Sequence, residues 1–352
     1  MSETDWQHTL RRSWQRRGAL AWLLWPLSLC VAVLVWLRRC LYRWGLWRVQ
    51  HLPVPVIVVG NVLAGGVGKT PIVIALVEHC QRAGRRVGVV SRGHGRRSTD
   101  LRRVLSDSDA RDVGDEPLLI AQRTNATVWV GADRVRAAQA LLEADPDVDL
   151  IISDDGLQHL ALARDLELCV FDERGVGNGW LLPAGPLREP WPRAVSPGVR
   201  TLLLLSIDAN APQVPETPWA SFDHSDHPVH RIERRLATHA RRRDGTMQAL
   251  DAWRGQPVQA LAGIAKPERF FAALRQHGLT LQSTHALPDH AVLDQIRLDP
   301  SAGDCLCTEK DAVKLWPRYP EVWAVPLHAE LPVRLCDDVD AWLQGHSGHG
   351  PN

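Results

Sequence analysis

Apolar and polar residues alternate along most of this chain in two recurrent patterns. Short runs of β-branched and other apolar residues are typical of buried strands, and many are followed by stretches with apolar residues at helical spacing. The first run, VPVIVV, begins at Val54 and precedes a helix predicted over residues 71–83. Strands that alternate with helices in this way predict an α/β fold with a doubly wound, mostly parallel sheet.

The same alternation continues towards the C-terminus and predicts a second, smaller α/β unit. The first unit adds a helix in RVRAAQALLEA and strands in RVGVV, ATVWV, VDLIIS, LELCVF and RTLLLLSI. Residues 209–230 are rich in Pro, Ser, Asp and His and predict a linker, and a predicted hairpin after them turns at Asp244-Gly245. The smaller unit has strands in PVQALAGI, CLCTEKDAV and VWAVPL, and a helix that begins at Pro267.

The N-terminal segment departs from this pattern. Residues 19–37 contain no charged side chain, and arginines flank them on both sides. An uncharged run of this length approaches the hydrocarbon thickness of a bilayer, and no small-residue cleavage site follows it. We predict a membrane-associated helix that either spans once or lies in one leaflet; the alternative is an apolar helix in the protein core. The tryptophans near its ends suit a headgroup interface: Trp22, Trp25, Trp36, Trp44 and Trp47.

Composition and charge disfavour two other classes of function. The formal net charge of +1 argues against a general nucleic-acid binder, because basic residues cluster only locally. The seven cysteines show no regular framework, and Cys305 and Cys307 lack a second ligand pair for zinc. We therefore expect reduced thiols and no nucleic-acid partner.

A glycine-rich loop lies between the first predicted strand and the first predicted helix. Such a loop directs backbone N–H groups at phosphate oxygens, its lysine meets the phosphate charge and its hydroxyl binds Mg²⁺. Leu63 stands where the strict Walker A pattern has glycine, but the strand–loop–helix context still predicts a P-loop. The predicted nucleotide-binding residues are Gly65, Gly66, Val67, Gly68, Lys69 and Thr70.

Two carboxylates follow a buried strand further along the chain. The sequence LIISDDGLQH places Asp154 and Asp155 at the carboxyl end of that strand, where open α/β sheets bind their ligands. One of the two can hold Mg²⁺ directly or through water, as a Walker B aspartate does. Asp-Asp-Gly is also a favourable turn, so it is the P-loop that favours the metal-binding interpretation.

Three further motifs carry groups that phosphoryl transfer to a hydroxyl requires. A carboxylate, alone or with an imidazole, can orient the hydroxyl or take its proton. These motifs are GDEP with Asp115 and Glu116, GPLREP with Arg188 and Glu189, and LPDH with Asp289 and His290. We expect Asp115 and Glu116 to lie in a loop. The motifs alone leave open a kinase and a membrane-tethered ATPase that drives a protein partner; the chain has no guanine-reading N-K-x-D motif.

These patterns divide the chain into five predicted segments. They are the membrane-anchor helix with its basic flanks (1–50), the P-loop core (51–208), a linker with a hairpin (209–250), a smaller α/β domain (251–336) and a C-terminal tail (337–352). The linker separates two units that could close on a bound nucleotide.

The order of the motifs resembles the tetraacyldisaccharide 4'-kinase family, the lipid A kinases of Gram-negative bacteria. The resemblance runs from about residue 19 to 335 and rests on GNVLAGGVGKTP, VVSRGHGR, GDEPLLIA, DR (133–134), ISDDGLQH, GPLREP, LPDH and TEKDAVKL. It implies transfer of the ATP γ-phosphate to the 4'-hydroxyl of tetraacyldisaccharide 1-phosphate, forming lipid IVA. It also implies ATP and Mg²⁺ as cofactors, a lipid A precursor as acceptor, the cytoplasmic face of the inner membrane and no required protein partner.

The resemblance also implies a role for each candidate site residue. Lys69 and Thr70 would serve the phosphates and Mg²⁺. Asp115 would be the base towards the 4'-hydroxyl, paired with His290, which Asp289 supports. The implied metal ligands are Thr70, Glu116, Asp154 and Asp155, and the implied polar shell comprises Arg92, Arg134, Gln158, Arg188 and Glu189.

Overall fold

The computed structural model describes residues 12–193, 198–209, 227–289, 291, 293, 296–299 and 303–346. The predicted α/β fold is confirmed. The described strands are β1 (Val56–Gly60), β2 (Val87–Ser91), β3 (Arg102–Val104), β4 (Thr127–Val130), β5 (Leu150–Asp154), β6 (Leu166–Phe171), β7 (Arg200–Asp208), β8 (Val229–Leu236), β9 (His239–Arg241), β10 (Met247–Ala249), β11 (Pro257–Ala262), β12 (Thr280–Ala286), β13 (Cys305–Thr308), β14 (Trp323–Val325) and β15 (Leu327–Glu330). The described helices are α1 (Ala19–Arg43), α2 (Lys69–Arg82), α3 (Ala110–Val113), α4 (Asp115–Thr124), α5 (Arg134–Ala144), α6 (Pro267–Gln276), α7 (Glu309–Leu315) and α8 (Val333–His346).

The large sheet contains nine of the described strands in the order β15-β8-β7-β6-β1-β5-β2-β4-β3. Neighbours from β8 to β4 in this order are parallel, and the edge strands β15 and β3 are antiparallel to theirs. Every residue of β1, β5 and β6 is buried, which explains why these strands are mostly apolar in the sequence. The glycine-rich loop therefore leaves the sheet at its centre.

The smaller sheet contains six of the described strands in the order β10-β9-β14-β13-β11-β12. The predicted hairpin is confirmed, since β9 pairs with β10 in antiparallel orientation and Gly245 turns between them with a φ of 87°. One face of this sheet joins the main hydrophobic core, and the other covers a second core around Trp253 and Phe271.

Part of the predicted linker is instead a strand of the large sheet. β8 lies within residues 209–250 and pairs with β7 in parallel, whereas residues 210–226 lie outside the described residues. Every second residue of β8, including Arg231 and Arg235, faces outward, so the segment has the polar composition of a linker although Ile232 is fully buried.

The C-terminal segment also returns to the large sheet. β15, from the predicted smaller domain, pairs with β8, and α8 occupies much of the predicted tail. Leu335, Val339 and Trp342 recur at helical spacing and are buried in the main core, which is why this segment folds as a helix. The predicted boundaries at 209 and 337 therefore do not follow the sheets.

The N-terminal helix α1 packs along one face against the loop that joins β6 to β7. Ser28 Oγ donates to the carbonyl of Leu181 at 2.8 Å and accepts from the N–H of Ala184 at 3.0 Å. Among the described helices, α1 is the one long and apolar enough to cross a bilayer. Its opposite face is exposed, with Leu23 at 76% and Leu34 at 65%, so the alternative of a core helix is wrong.

Candidate functional site

The glycine-rich loop has the geometry of an anion site. Gly65 and Gly68 have positive φ values of 89° and 77°, a conformation that residues with a Cβ adopt only with strain. α2 begins directly after Gly68, so the positive end of the helix faces the loop. Among the described residues, no protein acceptor binds the backbone N–H groups of residues 65–68. These groups are therefore available to phosphate oxygens.

A cavity of about 260 Å³ opens between this loop and the smaller sheet. Five of the six predicted nucleotide-binding residues line it, Gly65 being the exception. The apolar part of its lining includes Leu236 from β8, Ile264 after β11 and Phe270 from α6. One cavity therefore presents both an anion-binding loop and an apolar wall.

Arg174 binds the outer side of the loop. Its guanidinium donates to the carbonyls of Ala64 at 3.3 Å and Gly66 at 3.1 Å, and its Nε lies 2.8 Å from Asp172. Because two carbonyls bind Arg174, the backbone between them is held in a fixed orientation. The sequence analysis did not single out Arg174, since the contact joins residues 110 positions apart and no local motif marks it.

Lys69 is held on the inner side of the loop by two groups. Its Nζ lies 2.9 Å from Asn61 Oδ1 and 3.2 Å from Asp155 Oδ1. Asn61 is fully buried and is itself oriented by a bond from its Nδ2 to the carbonyl of Leu63 at 2.8 Å. Asn61 is a second residue that the sequence analysis quoted within a motif but assigned no role.

Asp154 and Asp155 lie in opposite environments at the end of β5. Asp154 is 1% exposed, and burial, together with the nearby charge of Glu116, raises its pKa to about 7. Asp155 has a positive φ of 50°, and its carboxylate lies 3.2 Å from Lys69 Nζ. Burial alone would raise the pKa of Asp155, but Lys69 and Arg188 hold it below its usual range.

The donors around Asp154 fit a divalent cation. Asp154 Oδ1 is buried without a hydrogen-bond partner in the described structure, while Oδ2 lies 3.2 Å from Ser91 Oγ. Thr70 and Glu116 line the adjoining cavity and add hard oxygen donors. Within the described ranges, no three His, Cys, Asp or Glu residues converge on one point. A site with few protein ligands is suitable for Mg²⁺, because this ion retains several waters and also binds substrate phosphates.

Asp115 and Glu116 begin helix α4 and do not lie in the predicted loop. Gly114 precedes them with a φ of 94°, and Pro117 follows in the first turn, where its missing N–H costs nothing. Acidic residues at this end are stabilised by the helix dipole, and Asp115 Oδ1 accepts from the N–H of Glu116 at 3.0 Å. The helix start thus gives the buried Asp115 a defined position.

Lys310 from α7 brings three predicted acidic residues together. Its Nζ lies 2.9 Å from Asp289 Oδ1, 3.2 Å from Glu116 Oε1 and 3.9 Å from Asp115 Oδ2. Burial alone would lower the pKa of Lys310, but these carboxylates raise it above its ordinary value, so the side chain is an ammonium. Lys314, one turn later, lies 3.6 Å from Asp115 Oδ2. The sequence analysis quoted TEKDAVKL but gave neither lysine a role.

The predicted pairing of Asp115 with His290 stays a prediction. Asp289 lies beside Lys310 as described above, but His290 lies outside the described residues. The described structure therefore brings together Asp115 and Asp289 through Lys310.

The predicted polar shell divides into two groups. Gln158 Nε2 donates to Glu189 Oε1 at 2.9 Å and to the carbonyl of Asn61 at 3.0 Å. Glu189 is buried and also pairs with Arg39 of α1, so the apolar helix is tied to the site through an ion pair. Arg188 Nη1 lies 3.4 Å from Asp155 Oδ1.

Arg134 and Arg92 form the second group. Arg134 is buried, and its guanidinium donates to the carbonyl of Ala132 at 2.8 Å and to that of Asp155 at 3.4 Å. Burial lowers the pKa of Arg134, and the nearby charge of the exposed Arg92 lowers it further. A cationic surface thus borders the acidic end of β5.

Known proteins resemble this chain over nearly its whole length. A family model described as tetraacyldisaccharide-1-P 4'-kinase (LpxK) matches residues 20–344. The tetraacyldisaccharide 4'-kinase of Acidovorax sp. (strain JS42) is 51% identical over 342 residues, which is 97% of this chain and 96% of that protein. That of Delftia acidovorans (strain DSM 14801 / SPH-1) is 47% identical, over 95% and 94% respectively.

A solved structure is similar in fold. The crystal structure of LpxK from Aquifex aeolicus, described as the "apo" form in complex with ATP, matches with a TM-score of 0.77. The two sequences are 27% identical, and the match covers 93% of this chain and 99% of that one.

Proposed function

The chain belongs to the tetraacyldisaccharide-1-P 4'-kinase family, and we propose that it transfers the ATP γ-phosphate to the 4'-hydroxyl of tetraacyldisaccharide 1-phosphate, forming lipid IVA. One observation carries this proposal in the structure. Lys69 and Thr70 of the P-loop line the same cavity as Glu116, Asp289 and Lys310. Phosphate-binding groups and acid–base groups therefore face one space, as direct phosphoryl transfer requires.

The two ends of the cavity suggest how ATP binds. The triphosphate meets the N–H groups of the loop and the ammonium of Lys69. The adenine ring meets the apolar wall around Leu236, Ile264 and Phe270. A ligand bound in this way contacts both sheets, so ATP would hold the two units together.

We assign the metal position to Thr70, Glu116 and Asp154. Bound there, Mg²⁺ would neutralise the charge that develops on the β- and γ-phosphates. Asp154 is the direct ligand in this assignment because its Oδ1 has no protein partner in the described structure. Asp155 instead pairs with Lys69 and Arg188 and so positions the lysine.

Asp115 orients the 4'-hydroxyl and accepts its proton in this proposal. The ammonium groups of Lys310 and Lys314 lie 3.9 Å and 3.6 Å from its Oδ2 and hold the carboxylate in place. His290, which follows Asp289 in the chain, would pair with Asp115 as the family resemblance implies.

We place α1 in one leaflet at the cytoplasmic face of the inner membrane. Its contacts with the protein body run from Trp22, whose ring lies 4.8 Å from that of Trp180, to Arg39 at the other end. A spanning orientation would carry the irregular loop beneath the helix into the hydrocarbon, where its polar backbone groups would be costly. The exposed face, including Leu34 and Trp36, suits contact with acyl chains.

Transfer of radiolabel tests the function directly. Full-length protein in detergent micelles would receive γ-labelled ATP and tetraacyldisaccharide 1-phosphate, and the phosphorylated position would be read by mass spectrometry. We expect labelling at the 4'-position, strongly reduced in Asp115→Ala but not in the matched control Asp112→Ala, whose side chain is exposed three residues earlier. Wild-type protein that hydrolyses ATP but leaves the lipid unlabelled would overturn the proposal and favour the ATPase.

A further inference from the structure

Arg234 of β8 presses against the last glycine of the P-loop. A Cβ placed on Gly68 would stand 3.0 Å from the Cζ of Arg234 and 3.1 Å from its Cδ, and closer still to Nη1. Arg234 also lines the cavity together with Lys69 and Thr70. The positive φ of Gly68 favours glycine at this position, and the guanidinium of Arg234 occupies the space beside it.

The position of Arg234 on its strand is unusual for a charged residue. Successive residues of a strand face opposite sides, so Arg234 lies on the same face as the buried His230 and Ile232. Its neighbour Arg235 faces outward and is exposed. An arginine at an inward position needs an acceptor, whereas one at an outward position is solvated.

Arg234 lacks such an acceptor in the described structure. Its Nε is buried without a hydrogen-bond partner, and its guanidinium forms no ion pair with any described residue. Burial lowers the pKa of Arg234, although the more distant charges of Glu173, Asp208 and Asp172 oppose that effect. The guanidinium is therefore stabilised by carboxylates at a distance but has no direct hydrogen-bond partner at its Nε in the described structure.

A second arginine at the same loop shows the contrast. Arg174 binds the loop from the other side, where two carbonyls and Asp172 satisfy its guanidinium. That is the pattern of a structural arginine. Arg234 faces the same loop, and no described residue accepts a hydrogen bond from its Nε, so its acceptor is to be sought in the cavity.

We propose that Arg234 is a nucleotide-binding residue whose guanidinium contacts phosphate oxygens of bound ATP beside Gly68. The inference rests on the proposed function, since it takes ATP as the occupant of the cavity. A guanidinium suits phosphate because its planar fork donates two hydrogen bonds at once. The P-loop and β8 would then bind the phosphates from two sides, and the guanidinium would gain direct acceptors when nucleotide is present.

Isothermal titration with ATP, ADP and adenosine tests this role without the lipid acceptor. Compared with wild type, Arg234→Met is expected to bind ATP and ADP about tenfold more weakly, which is about 1.4 kcal/mol. Adenosine affinity should not change, because adenosine carries no phosphate. Arg235→Met is the matched control, as it removes an arginine from the exposed face of the same strand, and its ATP affinity should equal that of wild type.

Thermal unfolding gives a second readout that a structural arginine would not produce. Without nucleotide, Arg234→Met should be at least as stable as wild type, because it removes a buried Nε donor that has no partner in the described structure. Saturating ATP should then stabilise it less than it stabilises wild type. If Arg234→Met does not fold, Arg234→Lys is the substitute, with a KM for ATP raised several-fold and a smaller change in kcat.

Two results would overturn the proposal. Equal ATP affinity in wild type and Arg234→Met would show that the guanidinium makes no phosphate contact. An adenosine affinity that falls as far as the ATP affinity would show stacking on the base instead. Failure of the proposed function would look different: wild-type protein would leave the lipid unlabelled, while the ATP affinities of the two arginine variants would still decide the role of Arg234.

Discussion

The two walls of the cavity hold their charges in opposite ways. On the P-loop wall, one cation, Lys69, is held by Asp155 and Asn61. On the facing wall, three carboxylates from two parts of the chain are gathered around one cation, Lys310. On the first wall, acceptors hold a lysine in position. On the second wall, a lysine holds a set of carboxylates in position.

This difference follows from how each wall is built. Asn61 directly follows β1, and Asp155 directly follows β5, whose Asp154 pairs with Val59 of β1, so strand register places the two acceptors side by side. On the other wall, Asp115 and Glu116 come from α4 of the large unit, whereas Lys310 comes from α7 of the small one. The P-loop wall therefore forms within one sheet, and the facing wall forms only where two sheets meet.

The largest effect is expected on the P-loop wall. Lys69→Met should lower kcat/KM for lipid phosphorylation about 10³-fold, because it removes a preorganised donor to the transferring phosphate. The labelled-ATP assay measures this. The control is Lys266→Met, which removes a lysine from the same cavity but outside the loop. An equal loss of kcat/KM in both variants would show that Lys69 contributes no more than another lysine of the same cavity.

The facing wall should show a smaller loss that depends on charge. Lys310→Met is expected to lower kcat about 10²-fold, because Asp115, Glu116 and Asp289 lose the ammonium that holds them together. Lys310→Arg should recover part of this activity. The control is Arg318→Met, which replaces an exposed residue just beyond α7 and should leave kcat unchanged. If Lys310→Arg is as inactive as Lys310→Met, the role of Lys310 is not the gathering of carboxylates. Steady-state kinetics for both substrates makes the distinction.

A third change tests the link between the apolar helix α1 and the P-loop wall. Arg39→Gln should raise the KM for the lipid acceptor about tenfold, because it leaves the buried Glu189 without its partner on α1. The KM for ATP should change little. Arg43→Gln is the control, since its side chain is exposed near the end of the same helix. A similar change in both variants would indicate a general effect of helix charge on membrane binding.

The smallest expected effect concerns stability and pH. The folded pKa of Asp154 is raised to about 7, so the folded chain binds this proton more tightly than the unfolded chain does. In a chelator, the contribution of Asp154 to stability should therefore fall as pH rises from about 4 towards 7, so wild type should lose stability relative to Asp154→Asn. Asp154→Asn should lack this decrease and melt about 2–4 °C higher above neutral pH. If Tm changes with pH in the same way for the two proteins across this range, the effect is ruled out.

Sequence reasoning predicted the parts of the site that are local. The P-loop is a run of consecutive residues, so Gly68 and Thr70 could be assigned from spacing alone, and the carboxylates after β5 follow from a buried apolar run that ends in Asp-Asp. The start of α4 was not recognised, because the glycine and proline around Asp115 also suit a loop. The sequence of β8 predicts a linker because its outward charges conceal an inward apolar face.

Other site residues carry no local signal. Lys310 lies 194 positions from Glu116, and Arg174 lies 110 positions from Ala64. Arg234 is one of two consecutive arginines on a strand of mixed charge, and only the assignment of that strand shows which of them faces inward. These roles depend on which surfaces meet, and residue spacing contains no information about that.

By itself, the sequence determined the α/β class, the P-loop, the Asp-Asp pair and the apolar N-terminal helix. Each of these depends on hydrogen bonding and burial within a short segment, so residue order is enough to specify it. Only the tertiary structure decided that α1 docks through Ser28 and Arg39, that Lys310 gathers the acidic groups and that Arg234 reaches the loop. Those contacts join distant segments, and their geometry follows from how the two sheets and the helix pack together.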